Sequence, residues 1–158
     1  MQLEISEELY GYTFGTESIL DLNRKYPYGV KVLNVPTVYI FDIDSFCIYR
    51  KDSNDADIIE RPVVFPAISQ IEIMKEYINR LNSAKIKQQF SNLNDKEFSE
   101  EFWNCFDDGS ERLIDFRSFE EYYRYSRIID WCNKNNIAYF IKDKNIKKAL
   151  DYKCKLHI

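Results

Sequence analysis

Between Phe116 and Ile141 the chain reads FRSFEEYYRYSRIIDWCNKNNIAYFI, and no other stretch restricts the fold as tightly. Ser118 with Glu121 three residues on makes a capping box, a pair of side chains that satisfies free N–H groups at a helix start. Tyr122, Tyr125, Ile129 and Cys132 follow on one helical stripe, widened by Ile128 and Trp131. Asn135-Asn136 tolerates a left-handed backbone and stops the helix, and Ile137–Ile141 reads as a strand. A helix with an aromatic core face, followed at once by a strand, needs partners of both kinds. The stretch predicts a mixed fold.

The remaining segments agree. Thr37–Phe41 and Phe46–Tyr49 are β-branched and aromatic, and Asp42-Ile43-Asp44-Ser45 between them makes a β-hairpin. After a polar loop over Lys51–Asp57, Ile58–Pro66 reads as a third strand. Pro62 cannot donate to a ladder, which places it at an edge or bulge. From there the period changes from two toward 3.6. Ser69 and Glu72 cap a helix over Ser69–Asn82, with Ile71, Met74, Ile78 and Leu81 inward. A short helix over Ser83–Phe90 follows. The next starts at Asn92–Asp95, buries Phe98, Phe102, Cys105 and Phe106, and ends at Asp107-Asp108-Gly109-Ser110. Ile146, Leu150 and Cys154, four apart, predict a final helix. Before residue 36 the signals are sparser: a strand in MQLEI, a helix over Thr16–Leu22, a turn at Tyr26–Gly29 and a strand over Val30–Val35.

The expected architecture is one α+β domain over residues 1–158. A small, mainly antiparallel sheet from about residue 30 to 66, plus the late strand, packs on four or five helices. With 158 residues the chain is long enough for a real core, and 12 Tyr and 11 Phe supply it. A net charge of −4 gives no generic affinity for nucleic acid or an anionic membrane. No apolar run approaches the ~20 residues that span a bilayer, and MQLEISEELY lacks a signal-peptide pattern. A cytoplasmic location follows. Cys47, Cys105, Cys132 and Cys154 are too scattered for a zinc site and read as free thiols, partly buried. His157 reads as a tail residue, and no cofactor or metal is expected.

Several pieces together resemble a family of small bacterial proteins of uncharacterised function. They are the hairpin entry Val38-Tyr39-Ile40-Phe41-Asp42, the proline-ended strand Val63-Val64-Phe65-Pro66 and the helix core Met74-Lys75-Glu76-Tyr77-Ile78. Phe98 with Phe102 gives the paired phenylalanines, and Trp131, Asn135 and Ile137 the closing Trp-x-x-x-Asn-x-Ile. The chain departs from the pattern at Glu97, where glycine is common, and near Leu113, where a second tryptophan is common. The resemblance spans roughly residues 37–140. It implies a fold and a bacterial or phage setting, and no activity.

Two chemical readings compete with a non-enzymatic, protein-interaction or regulatory role. Asp42-Ile43-Asp44 after a hydrophobic strand looks like the nucleophile motif of haloacid-dehalogenase-like phosphatases, with Asp107 and Asp108 as distant Mg²⁺ ligands. No βαβ unit follows Ser45, however, so a polar hairpin turn fits better. Asp52–Asp57 touches the calcium-loop pattern but lacks its glycine and its final glutamate. The lysines at 142, 144, 147, 148, 153 and 155 allow a nucleic-acid role in the tail, ranked third. Charge points elsewhere. From Asp95 to Glu121 acids far outnumber bases, and Glu97, Glu100, Glu101, Asp107, Asp108, Glu111, Glu120 and Glu121 form the candidate surface. It would meet a basic protein partner, or the chain's own basic end in a second copy.

Overall fold

The computed structural model describes residues 1–15, 37–106, 109 and 111–154. Along it run β1 (Leu3–Glu4), α1 (Glu7–Tyr12), β2 (Tyr39–Asp42), β3 (Cys47–Arg50), a 3-10 turn (Asn54–Ile58) and β4 (Pro62–Val64). They are followed by α2 (Gln70–Arg80), α3 (Ala84–Gln89), α4 (Asp95–Phe106), α5 (Glu111–Lys134), β5 (Tyr139–Phe140) and α6 (Lys144–Leu150). The fold is α+β, with six helices among the described residues rather than four or five. The expected Thr16–Leu22 helix, the Tyr26–Gly29 turn and the Val30–Val35 strand lie outside the described residues. So do Asp107, Asp108, Ser110, Lys155 and His157.

Helix α5 is the spine. Its 24 residues give it a length of about 36 Å. Ser118 does not start it; the helix begins seven residues earlier, at Glu111. The apolar stripe explains the difference, because Phe116 and Phe119 are both fully buried and extend the core face back past Ser118. Packing outweighs a cap signal worth about 1 kcal/mol. The stop falls where the asparagines put it. Asn136 adopts φ 55°, Ile137 N–H donates to the Cys132 carbonyl at 2.9 Å, and Asn136 N–H to that of Asn133 at 3.4 Å. This pair of bonds is a Schellman motif, and buried Ile137 packs in one cluster with Cys132.

Two apolar clusters share this spine. The first half of α5 packs with α2, α3 and α4 around Tyr77, whose ring lies 5.3 Å from those of Phe116 and Phe119. The second half packs against β1, α1, the hairpin sheet and α6. There Trp131 meets Phe65 and Phe41 edge-on, at 5.0 and 5.4 Å, and its indole N–H donates to the Val64 carbonyl at 2.9 Å. Helix caps follow the sequence closely. The Ser69 hydroxyl accepts from Glu72 N–H and that of Ser83 from Ile86 N–H, while Asn94 and Glu97 cap each other's N–H groups. On α2 the inward residues are Ile73, Met74, Tyr77 and Ile78, with Ile71 only partly covered.

Strands β3, β2 and β4 form an antiparallel sheet in that order, and Pro62 does lie on an edge. The expected third strand is shorter than its apolar run, since Asn54–Ile58 winds into the 3-10 turn. The late strand does not join this sheet. β5 pairs with β1 in parallel, Leu3 opposite Tyr139, and makes a separate two-stranded sheet. The final helix stops at Leu150. Beyond it Tyr152 turns inward and Cys154 stays exposed, off the expected stripe.

Candidate functional site

The acidic segment is divided among different surroundings. Glu97 caps α4, Glu100 is exposed beside it, and the Glu101 carboxylate accepts from the Gln89 amide at 2.5 Å. Glu111 is exposed in the first turn of α5. Glu120 is buried and lies on no surface: it faces Arg124 at 3.5 Å and Arg117 at 3.7 Å. Glu121, the next residue, turns about 100° round the helix and stands beside Glu7 and Asp143. Burial first, then the charges of Glu7 and Asp143, raise its carboxyl above the usual range. Helical periodicity separates what the sequence sets side by side.

Asp42 and Asp44 belong to the hairpin turn. One Asp42 oxygen accepts from Asp44 N–H at 3.0 Å and the other from the Ser45 hydroxyl at 2.8 Å. This arrangement is an Asx turn, which spends the carboxylate on its own backbone. Asp44 is paired with Arg61, whose hydrogen bond holds its carboxyl below the usual range. With Asp55 and Glu60 the two line an open depression of about 540 Å³. Among the described residues no group of three or more His, Cys, Asp or Glu side chains is placed to hold a metal ion. The described lysines of the basic end, at 142, 144, 147, 148 and 153, are all exposed, on or beside α6.

A second small cavity, of about 230 Å³, lies under the C-terminal coil. Tyr152 covers it, its ring 5.6 Å from both Phe119 and Tyr122, and its hydroxyl donates to Asp115 at 2.9 Å. Tyr77 donates to the same Asp115 oxygen at 2.7 Å. This network fastens the coil to α2 and α5.

The largest of these hollows, about 960 Å³, is a groove between the N-terminal segment and the hairpin. Leu3, Ile5 and Leu9 line one side, and Phe46, Cys47 and Ile48 the other. Glu4, Glu7, Glu8 and Asp143 supply its charged side chains, and no lysine or arginine is among the lining residues. Local rules account for part of that charge. Ser6 caps α1 through Leu9 N–H, and Glu7 and Glu8 in its first turn suit the positive end of the helix. Asp143 caps α6 by accepting from Asn145 N–H at 2.8 Å. Glu8 accepts from the Tyr12 hydroxyl at 2.5 Å, and burial followed by this bond pushes that phenol up to about 12. The opposite wall holds Phe46 at φ 57°, unusual for a bulky residue, with its ring edge-on to Phe41 at 5.2 Å. Glu121 extends the negative rim beyond Glu7 and Asp143.

Sequence reasoning misses this groove. Its walls come from residues 1–9, 12, 46–48 and 143, which no local pattern connects. The available signal was the decapeptide MQLEISEELY, in which Glu4 sits between Leu3 and Ile5 and Glu7 and Glu8 follow the cap Ser6. Comparison with protein-family models, with curated proteins and with solved structures finds no match to this chain.

Proposed function

We propose that this chain is a protein-interaction domain that receives a basic, apolar segment of another protein in the groove between its N-terminal segment and its hairpin. The observation that carries the reading is the lining: apolar surface from Leu3, Phe46 and Ile48 over the buried Ile5 and Leu9, four carboxylates, and no lysine, arginine or histidine. Apolar surface gives affinity, and charge of one sign selects the partner and speeds encounter. The four described cysteines, none in a disulfide, suit a partner met in the reducing cytoplasm. No described helix is long and apolar enough to cross a membrane.

The test is fluorescence anisotropy with two labelled heptapeptides, one alternating lysine with valine and one alternating glutamate with valine. The lysine probe binds, and its affinity falls as salt rises. Glu7→Lys with Glu8→Lys weakens it at least tenfold, whereas Glu97→Lys with Glu100→Lys on α4 leaves it unchanged. Equal binding of both probes, or a loss confined to the α4 variant, would sink the reading.

A further inference from the structure

The groove runs along a free strand edge. β3 ends the three-stranded sheet, and among the described residues no strand pairs with it on the side away from β2. Cys47 and Ile48 point to opposite faces of the sheet, yet both line the groove. The groove therefore follows the edge of β3 rather than one of its faces. Lys51 N–H donates to the Val38 carbonyl, which makes Val38 and Lys51 a hydrogen-bonded pair and, by alternation, Tyr49 and Cys47 the next ladder residues. The peptide groups of Ile48 and Arg50 consequently point outward. The Arg50 carbonyl already accepts from Ser53, through both its N–H and its hydroxyl. Arg50 and Lys51 also put charge at that end of the edge, a common guard against unselective pairing. The Ile48 end, opening on the groove, carries neither.

We propose that the partner segment adds to the sheet as an extended strand along β3, its main chain bonding the outward N–H and C=O of Ile48. This inference rests on reading the groove as a peptide site and specifies how the peptide is held. Strand addition draws affinity from main-chain bonds and selects side chains at alternate positions. In an extended segment with alternating basic and apolar residues, the basic side chains suit Glu4, Glu7 and Glu8 and the apolar ones suit Leu3, Phe46 and Ile48. The complement is a Lys- or Arg-rich β-forming peptide of a protein partner.

N-methylation of the lysine–valine probe tests the geometry. One version carries N-methyl groups on its three valines, the other on its two inner lysines, so each blocks N–H donors on one side of the strand. One version binds at least tenfold more weakly and the other matches the parent probe. In the unmodified protein, hydrogen exchange of the Ile48 amide slows at least tenfold when the parent probe saturates the groove. If the parent binds but both methylated versions bind alike, or Ile48 exchange is unchanged, strand addition is wrong while the groove reading stands. If the parent probe does not bind, both fall.

Discussion

Arg124 and Glu120 form an ion pair one helical turn apart on α5, with side chains 0% and 1% exposed. The guanidinium does more than meet a carboxylate. It donates to the Ile68 carbonyl at 2.8 Å and the Thr13 hydroxyl at 3.1 Å, and lies 3.7 Å above the Phe14 ring. One side chain thus ties α5 to the end of α1 and to the segment entering α2. It does so between the two apolar clusters.

Removing one partner strands the other's charge, which costs about 3–5 kcal/mol at a buried site. Arg124→Met therefore lowers the urea midpoint strongly, toward the lower end of that range because Arg117 also reaches Glu120. Arg124→Met combined with Glu120→Leu recovers a large part of the loss. A double variant as unstable as the single one contradicts this account of the pair.

Asp115 is 8% exposed and holds Tyr77 and Tyr152 through one oxygen. Asp115→Leu leaves two phenols without an acceptor and costs about 2–4 kcal/mol; Tyr152→Phe, losing one bond, costs about 1 kcal/mol. Burial, then the bond to Asp115, raises both phenols above the ordinary value of 10.0. A raised folded value means stability that is complete below pH 10 and lost as pH climbs beyond it, when the unfolded phenols ionise and the folded ones do not. Thermal midpoints between pH 9 and 11 fall less steeply for Tyr77→Phe with Tyr152→Phe than for the unmodified protein.

The Glu121 carboxyl is raised above 4.5 by burial and by Glu7 and Asp143. Its protonated form suits the fold, so its contribution is complete below pH 4.5 and lost as pH rises past that value. Glu121→Gln consequently stabilises the protein at pH 7, by roughly 0.5 kcal/mol or less at so open a position, and salt shrinks the gain. At pH 3 the two proteins melt together. A glutamine variant that melts lower at pH 7 would show that the rim acids do not repel one another.

What the sequence made legible is mostly local. Ser69 with Glu72, the Asn135-Asn136 stop and the Asp42–Ser45 turn each act within a few residues, and all three appear where side-chain chemistry puts them. Ser118 misleads because a cap is weak against the burial of Phe116 and Phe119. The pairing of Leu3 with Tyr139 joins residues 136 positions apart, and two-residue strands leave no periodicity to read. The groove inherits that difficulty. Three of its acids, Glu7, Glu8 and Asp143, sit at helix starts, where local rules already favour them, and only the packing of α1, β3 and α6 shows that they face one hollow.

The groove itself is tested most directly by backbone amide NMR during titration with the lysine–valine heptapeptide. The account predicts saturable shifts concentrated at Glu4–Leu9, Phe46–Ile48 and Asp143, absent when the glutamate–valine peptide is added. Shifts centred instead on Glu97–Glu101 of α4, or no saturable shift at all, would contradict it.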